Sequence, residues 1–129
     1  MILGIGHDLC DVRRVEKVLK KFKSKFTNKI CTSDEINLSE KIIDKNNFYA
    51  MRFSVKEAFY KSLPSPIQKY CSWHDIELFK SKIGKPEIKM NSKIENHLWE
   101  YFKCSSIPIV HVSLSNEYPY VSSYVCISC

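Results

Sequence analysis

The sequence predicts an α+β fold, with short strands near the two ends of the chain and helices between them. Three observations carry that expectation. Ile2, Leu3 and Ile5 make a short apolar strand, the middle of the chain repeats apolar residues at helical spacing, and Val110, Val112 and Leu114 alternate with polar residues near the C-terminus.

Each element follows in order. Val12, Val15, Val18, Leu19 and Phe22 recur at helical spacing with lysines and arginines between them, so a basic amphipathic helix succeeds the first strand. Thr32 followed by Glu35 is a capping-box pattern and opens a second helix carrying Ile36, Leu38 and Ile42. A third helix is expected from Asn47 to about Leu63, a stretch free of Gly and Pro, with Phe48, Met51, Val55, Ala58 and Phe59 on one face. Pro64 and Pro66 end it. Asp75 to Phe79 and Glu87 to Met90 read as short strands joined through Gly84, and Asn91 or Ser92 caps a further helix bearing Ile94, Leu98 and Phe102. After the alternating strand, a turn containing Pro119 leads to a last strand from Tyr120 to Ser128, giving a C-terminal antiparallel hairpin. No repeat, low-complexity stretch or linker divides residues 1–129, so one domain is expected.

Composition narrows the partners. With 129 residues, 44% of them hydrophobic, the chain can build a real core, and 20 Lys and Arg against 14 Asp and Glu favour an acidic partner. No apolar run approaches the roughly 20 residues that cross a bilayer, and MILGIGHDL has no basic leader, so a cytoplasmic protein without membrane attachment is expected. Cys10, Cys31, Cys71, Cys104, Cys126 and Cys129 are then expected to be reduced. Only Cys126 and Cys129 have C-x-x-C spacing, one pair short of a structural zinc site.

Three stretches could carry chemistry. Asp8 in GIGHD follows the first strand, where Gly4 and Gly6 let the backbone approach a ligand; alone, Asp8 reads as a turn or helix-cap residue. RFSVKEAFYK, Arg52 to Lys61, sets Glu57 and Lys61 one turn apart and Arg52 and Lys56 one turn apart on another face, which alone suits ordinary surface ion pairing. Together, Asp8 and Glu57 offer the two hard oxygen ligands that Mg²⁺ takes when phosphates and waters fill its other positions, with Lys56 and Lys61 near to neutralise the phosphates. In HVSLSN, His111, Ser113 and Ser115 share a strand face that suits a phosphate or sugar, or equally plain solvent. No Ser or Cys lies in a nucleophile elbow.

In this order GIGHDL (Gly4 to Leu9), RFSVKEAFYK, GKP (Gly84 to Pro86) and HVSLSNE (His111 to Glu117) resemble the holo-acyl-carrier-protein synthases, small 4'-phosphopantetheinyl transferases, along nearly the whole chain. The resemblance implies that Asp8 and Glu57 hold Mg²⁺ and that coenzyme A contacts Asp8, Lys56, Lys61, Lys85, Ser113 and Ser115. Glu57 and Lys61 are the catalytic residues it implies, with Glu57, Lys61 or a metal-bound water as the base. A serine of an acidic apo acyl carrier protein then takes phosphopantetheine and adenosine 3',5'-bisphosphate leaves, a step of fatty acid biosynthesis. Arg14 is implied in carrier docking, on a helix that also carries Arg13, Lys17, Lys20 and Lys21. The implied assembly is a homotrimer with active sites between subunits.

The sequence departs from the family pattern at three places. SLPSP from Ser62 to Pro66 stands where a glycine-rich turn is usual, His7 where a small hydroxyl residue is common, and Asn116 where His or Asp is often found. Proline removes a backbone donor, so phosphate contacts from that loop are weakened, and a homologue that binds coenzyme A or carrier without transfer is one rival. A basic nucleic-acid-binding module is the other. The aromatics scatter over apolar faces without a recognised nucleic-acid motif, so no nucleic-acid partner is expected.

Overall fold

In a computed structural model that describes residues Met1–Cys129, three strands form one antiparallel sheet in the order β1-β5-β4, with β1 at Ile2–Asp11, β4 at Ile109–Glu117 and β5 at Tyr120–Ser128. A separate ribbon pairs β2 (Ile76–Lys80) with β3 (Pro86–Met90). The helices are α1 (Val12–Phe22), α2 (Ser24–Ile30), α3 (Ser33–Ser39), α4 (Lys45–Ser62), α5 (Ser65–Gln68) and α6 (Ser92–Phe102). The α+β expectation holds, as does the terminal hairpin.

The boundaries differ where side-chain patterning is silent. β1 runs on to Asp11 because its second half pairs with β5, Asp8 with Ser123 and Asp11 with Tyr120. Asp8 therefore lies inside the strand rather than beyond it. The capping role falls to Asp11, whose side chain accepts from the Arg13 backbone N–H at 3.0 Å. Lys23, at φ 48°, ends α1 and turns the chain into α2, which the apolar spacing did not reveal. The capping box at Thr32 and Glu35 forms, yet α3 stops at Ser39, short of Ile42. Gly84, at φ 80°, makes the turn between β2 and β3, and Asn91 caps α6 by accepting from the Ile94 N–H at 3.1 Å.

α4 is the central element, because both apolar clusters pack against it. Ala58 and Phe59 join Ile76, Ile94, Leu98 and Val125 on one side, and Phe48, Tyr49 and Ala50 join Val12, Val15 and Val121 on the other. Burying a side chain such as Phe59 stabilises the fold by about 1.5–3 kcal/mol. A Cβ at Gly6 would run into the Ala58 carbonyl oxygen, and one at Gly4 into that of Ser62. The two glycines thus admit the backbone of α4, not a ligand. That close approach, together with the 2.7 Å Ser54–Ser123 hydroxyl contact, fixes α4 against β1 and β5. No helix is long and apolar enough to cross a membrane.

Candidate active site

Three of the side chains singled out in the sequence lie close together where α4 crosses the middle of β1. Asp8 is directed from β1 toward the helix, and Lys61, in the last turn of α4, donates to Asp8 Oδ1 at 3.0 Å and to the His7 carbonyl at 3.2 Å. Glu57, one turn earlier, lines a cavity of about 310 Å³ together with Asp8 and Arg14. Burial raises the Glu57 carboxyl above its usual range; the Asp8 carboxylate raises it further and the Lys61 ammonium partly offsets both. A half-buried carboxyl facing a second carboxylate is a place where a cation lowers the energy.

Glu57 also lines a neighbouring cavity of about 240 Å³, more apolar, whose far wall is Cys71, Ser72, Trp73 and Ile76. The glutamate thus stands on a partition between a recess toward α1, where Asp8, Asp11 and Arg14 join apolar side chains, and a second one on the side of Trp73.

Lys56 is a correction. Its ammonium is buried and donates to the Ile30 carbonyl at 2.6 Å, to Glu35 Oε1 at 2.6 Å and to the Trp73 carbonyl at 2.8 Å. An ammonium has three donors, and all three are used, so none is left for a phosphate. Nor do Arg52 and Lys56 form a solvated helix face, since both point inward at Glu35. Helical spacing placed them on one side of α4 but could not say that the side is covered.

Ser113 and Ser115 are not brought to Asp8. Asp8 pairs with Ser123, and Ser123 with Leu114, so these three share the inner face of the sheet, while Ser113 and Ser115 project from the opposite one. That outer face also carries His7, stacked on Tyr124 with ring centroids 4.2 Å apart and 3.0 Å from the Ser122 hydroxyl. Lys85 lies at the β2–β3 turn, in a recess it shares with Pro86, Pro108 and His111, apart from the cavities at Glu57. Asn116 is exposed, and SLPSP carries the chain from Ser62 at the end of α4 into the short helix α5, whose first two residues are Ser65 and Pro66.

Sequence reasoning missed Glu35. Its capping-box position was legible, but its other contacts were not: Oε2 accepts from the Leu78 N–H at 3.2 Å while Oε1 accepts from Lys56. It also missed a disulfide between Cys104 and Cys129, which corrects the expectation that every thiol is reduced; Cys10, Cys31, Cys71 and Cys126 are free.

Residues 4–121 match the family profile of the 4'-phosphopantetheinyl transferase superfamily. A holo-[acyl-carrier-protein] synthase of Bartonella bacilliformis is 35% identical over 98% of this chain and 96% of its own. Among solved structures, the holo-[acyl-carrier-protein] synthase of Neisseria meningitidis superposes with a TM-score of 0.83 at 28% identity, covering all of both chains. The Bacillus anthracis holo-(acyl-carrier-protein) synthase, determined in complex with CoA (3',5'-ADP), gives 0.78 at 31% identity over 98% of this chain and 96% of that one.

Proposed function

The chain belongs to the 4'-phosphopantetheinyl transferase superfamily, and on that premise we propose that it moves 4'-phosphopantetheine from coenzyme A to a serine of an apo acyl carrier protein. The observation that carries this reading is the meeting of Asp8 and Glu57 at one cavity that Arg14 also lines, with Lys61 donating to Asp8 beside it. Residues 1–129 act as one domain in this reading. The setting is the cytoplasm, and the product serves fatty acid biosynthesis.

The reaction is a displacement at phosphorus. The carrier serine oxygen forms a bond to the phosphorus that bears pantetheine, the bridging P–O bond of the pyrophosphate breaks, and adenosine 3',5'-bisphosphate leaves with that bond's electron pair. The hydroxyl proton must go to a base. Glu57 and Lys61 are the residues assigned to it; the raised Glu57 carboxyl belongs to the metal-free site, and a cation bound there would lower it. Lys61, half exposed and already donating to Asp8, is placed to turn its remaining donor toward the pyrophosphate and stabilise charge on the leaving group.

Mg²⁺ fits the donors. Asp8 and Glu57 are hard oxygen ligands on two different elements that line one cavity, a pair that suits Mg²⁺ when phosphates and waters fill its other positions. When bound, Mg²⁺ would neutralise pyrophosphate charge and polarise the phosphorus.

A homotrimer completes the reading. Ile5, Leu9, Ile109 and Tyr124 on the outer sheet face are each more than half exposed, an apolar surface that a second copy would cover. Ser113, Ser115 and Lys85 would then serve a neighbouring copy's coenzyme A rather than their own chain's site. SLPSP supplies fewer backbone donors to that cofactor than a glycine turn would.

The test is the mass of a purified apo acyl carrier protein after incubation with this protein, coenzyme A and Mg²⁺, beside a chelator control. A gain of one phosphopantetheine that the chelator abolishes is the expected result. No gain with several carriers, with coenzyme A still bound, would leave a binding protein without transfer activity.

A further inference from the structure

Resting on the transferase reading above, we propose that Lys56 and Glu35 form a buried positioning pair that sets the place of Glu57 relative to the cavity wall at Trp73. Lys56 and Glu57 are consecutive in α4, so whatever holds one fixes the helical turn that carries the other. The Lys56 ammonium is gripped by acceptors from three separate segments: the last residue of α2 (Ile30), α3 (Glu35) and the single 3₁₀ turn Trp73–Asp75. The third grip spans the cavity in question. Trp73 is on its far wall and Glu57 on its near one, so the 2.8 Å bond from Lys56 to the Trp73 carbonyl fixes the width of the space beside Glu57.

Glu35 is in turn fixed from two sides. Its Oε1 accepts from the Thr32 N–H at 3.1 Å, and its Oε2 accepts from the Leu78 N–H at 3.2 Å, tying α3 to β2. Arg52, one turn before Lys56, lies over the Phe48 ring at 3.5 Å and donates to the Leu78 carbonyl at 3.2 Å. Its Nε stands 3.8 Å from Glu35 Oε2, too far for a hydrogen bond, and has no partner. The short contacts therefore belong to Lys56, and Arg52 balances charge.

A buried ion pair is a poor way to add stability, because desolvation of both ions offsets most of their attraction and apolar residues of equal volume often do as well. It is a good way to hold geometry, because each contact is short and directional. Displacing a catalytic group by about 1 Å can cost on the order of 100-fold in rate. Neither Lys56 nor Glu35 touches substrate in this assignment; both act through Glu57.

The experiment replaces the pair together, E35L/K56M, beside wild type, and reads thermal unfolding, coenzyme A affinity by calorimetry, and steady-state kinetics. The expected result is a folded protein that binds coenzyme A within about threefold of wild type while kcat falls by at least about 30-fold. A double variant with wild-type kcat overturns the proposal, since the pair would then serve only the fold. If that variant does not fold, K56R decides. It keeps the charge and the partner Glu35 but places the donors differently, so kcat falls about tenfold with the KM for coenzyme A unchanged, and a wild-type kcat overturns the proposal. Failure of the transferase reading looks different: the wild-type protein itself shows no transfer, and the pair's catalytic role falls with it.

Discussion

Lys61 Nζ lies 3.0 Å from Asp8 Oδ1, which joins the last turn of α4 to the middle of β1 by a contact 53 residues apart in sequence. Lys61 is half exposed, so the pair adds little to stability, at most about 1 kcal/mol. Its consequence is positional: the ammonium holds the Asp8 carboxylate beside the cavity that Asp8 lines with Glu57 and Arg14.

Removing that ammonium should separate stability from rate. K61M is expected to keep its unfolding temperature within a few degrees while kcat falls by about 10² to 10³, as for the loss of one charge-stabilising donor. Steady-state kinetics beside a thermal melt check it. A K61M protein with near-native kcat would remove Lys61 from the chemistry.

Glu57 makes a prediction about pH. Its folded-state carboxyl titrates above the unfolded one, through burial first and Asp8 second, so the native state holds the proton more tightly than the unfolded state does. Stability from this group is therefore present below the ordinary glutamate value, about 4.3, and is lost as pH rises through the raised value. E57Q removes that loss. It should melt higher than wild type at pH 7, match wild type near pH 4, and show no transfer; added Mg²⁺ should raise the wild-type melting temperature at pH 7 but not that of E57Q. Equal melting curves at both pH values would contradict the burial of Glu57.

Gly6 predicts a packing failure. A methyl there meets the Ala58 carbonyl oxygen, which belongs to helix backbone and cannot rotate away. G6A should push α4 off the sheet, lowering stability by roughly 3 kcal/mol or more and disrupting the Asp8–Lys61 contact as well. Denaturant unfolding measures the first effect and residual turnover the second. Gly84, with open space around it but φ 80°, should show a smaller loss on the same change.

The Cys104–Cys129 disulfide ties the segment after α6 to the end of β5, closing a loop with a sequence separation of 25. Loop-closure entropy for that length corresponds to about 3.5 kcal/mol. Reduction, or C104S, should lower the melting temperature by several degrees and leave kcat near wild type, because neither cysteine lines the cavities at Glu57. Cys10 and Cys31 should stay unmodified by thiol reagents in the folded protein, since burial pushes their thiols up to about 11 and about 12.

The sequence made the long elements legible because their patterns are local. α4 was readable from its apolar period, and the hairpin of β4 and β5 from alternation around Pro119. Asp8, Glu57 and Lys61 were legible as a set through the resemblance carried by GIGHDL and RFSVKEAFYK, since each stretch alone also suits a helix cap or a surface ion pair. What stayed hidden depends on tertiary cover. Arg52 and Lys56 look like solvent residues until α2, α3 and the Trp73 turn close over them, and no period in α4 announces that closure. Alternation in β4 puts Ser113 and Ser115 on the polar face, away from Val110, Val112 and Leu114, and the register agrees; only the resemblance joins them to Asp8, which lies on the opposite face of the same sheet.

Arg13 and Arg14 offer the final test, because they are neighbours with different commitments. Arg13 forms a two-point pair with Asp11, Nε to Oδ1 at 3.0 Å and Nη2 to Oδ2 at 2.8 Å, so its charge is locally neutralised. Arg14 faces the cavity of Asp8 and Glu57, where an approaching acidic carrier would meet it. R14E should therefore raise the KM for carrier by about tenfold or more at low salt, with the KM for coenzyme A unchanged. The difference should shrink as ionic strength rises and the screening length falls below about 8 Å. R13A should change the carrier KM less, because it removes a charge already spent on Asp11. Equal effects of the two substitutions would mean that the whole basic face of α1 steers the carrier and that Arg14 has no special place in docking.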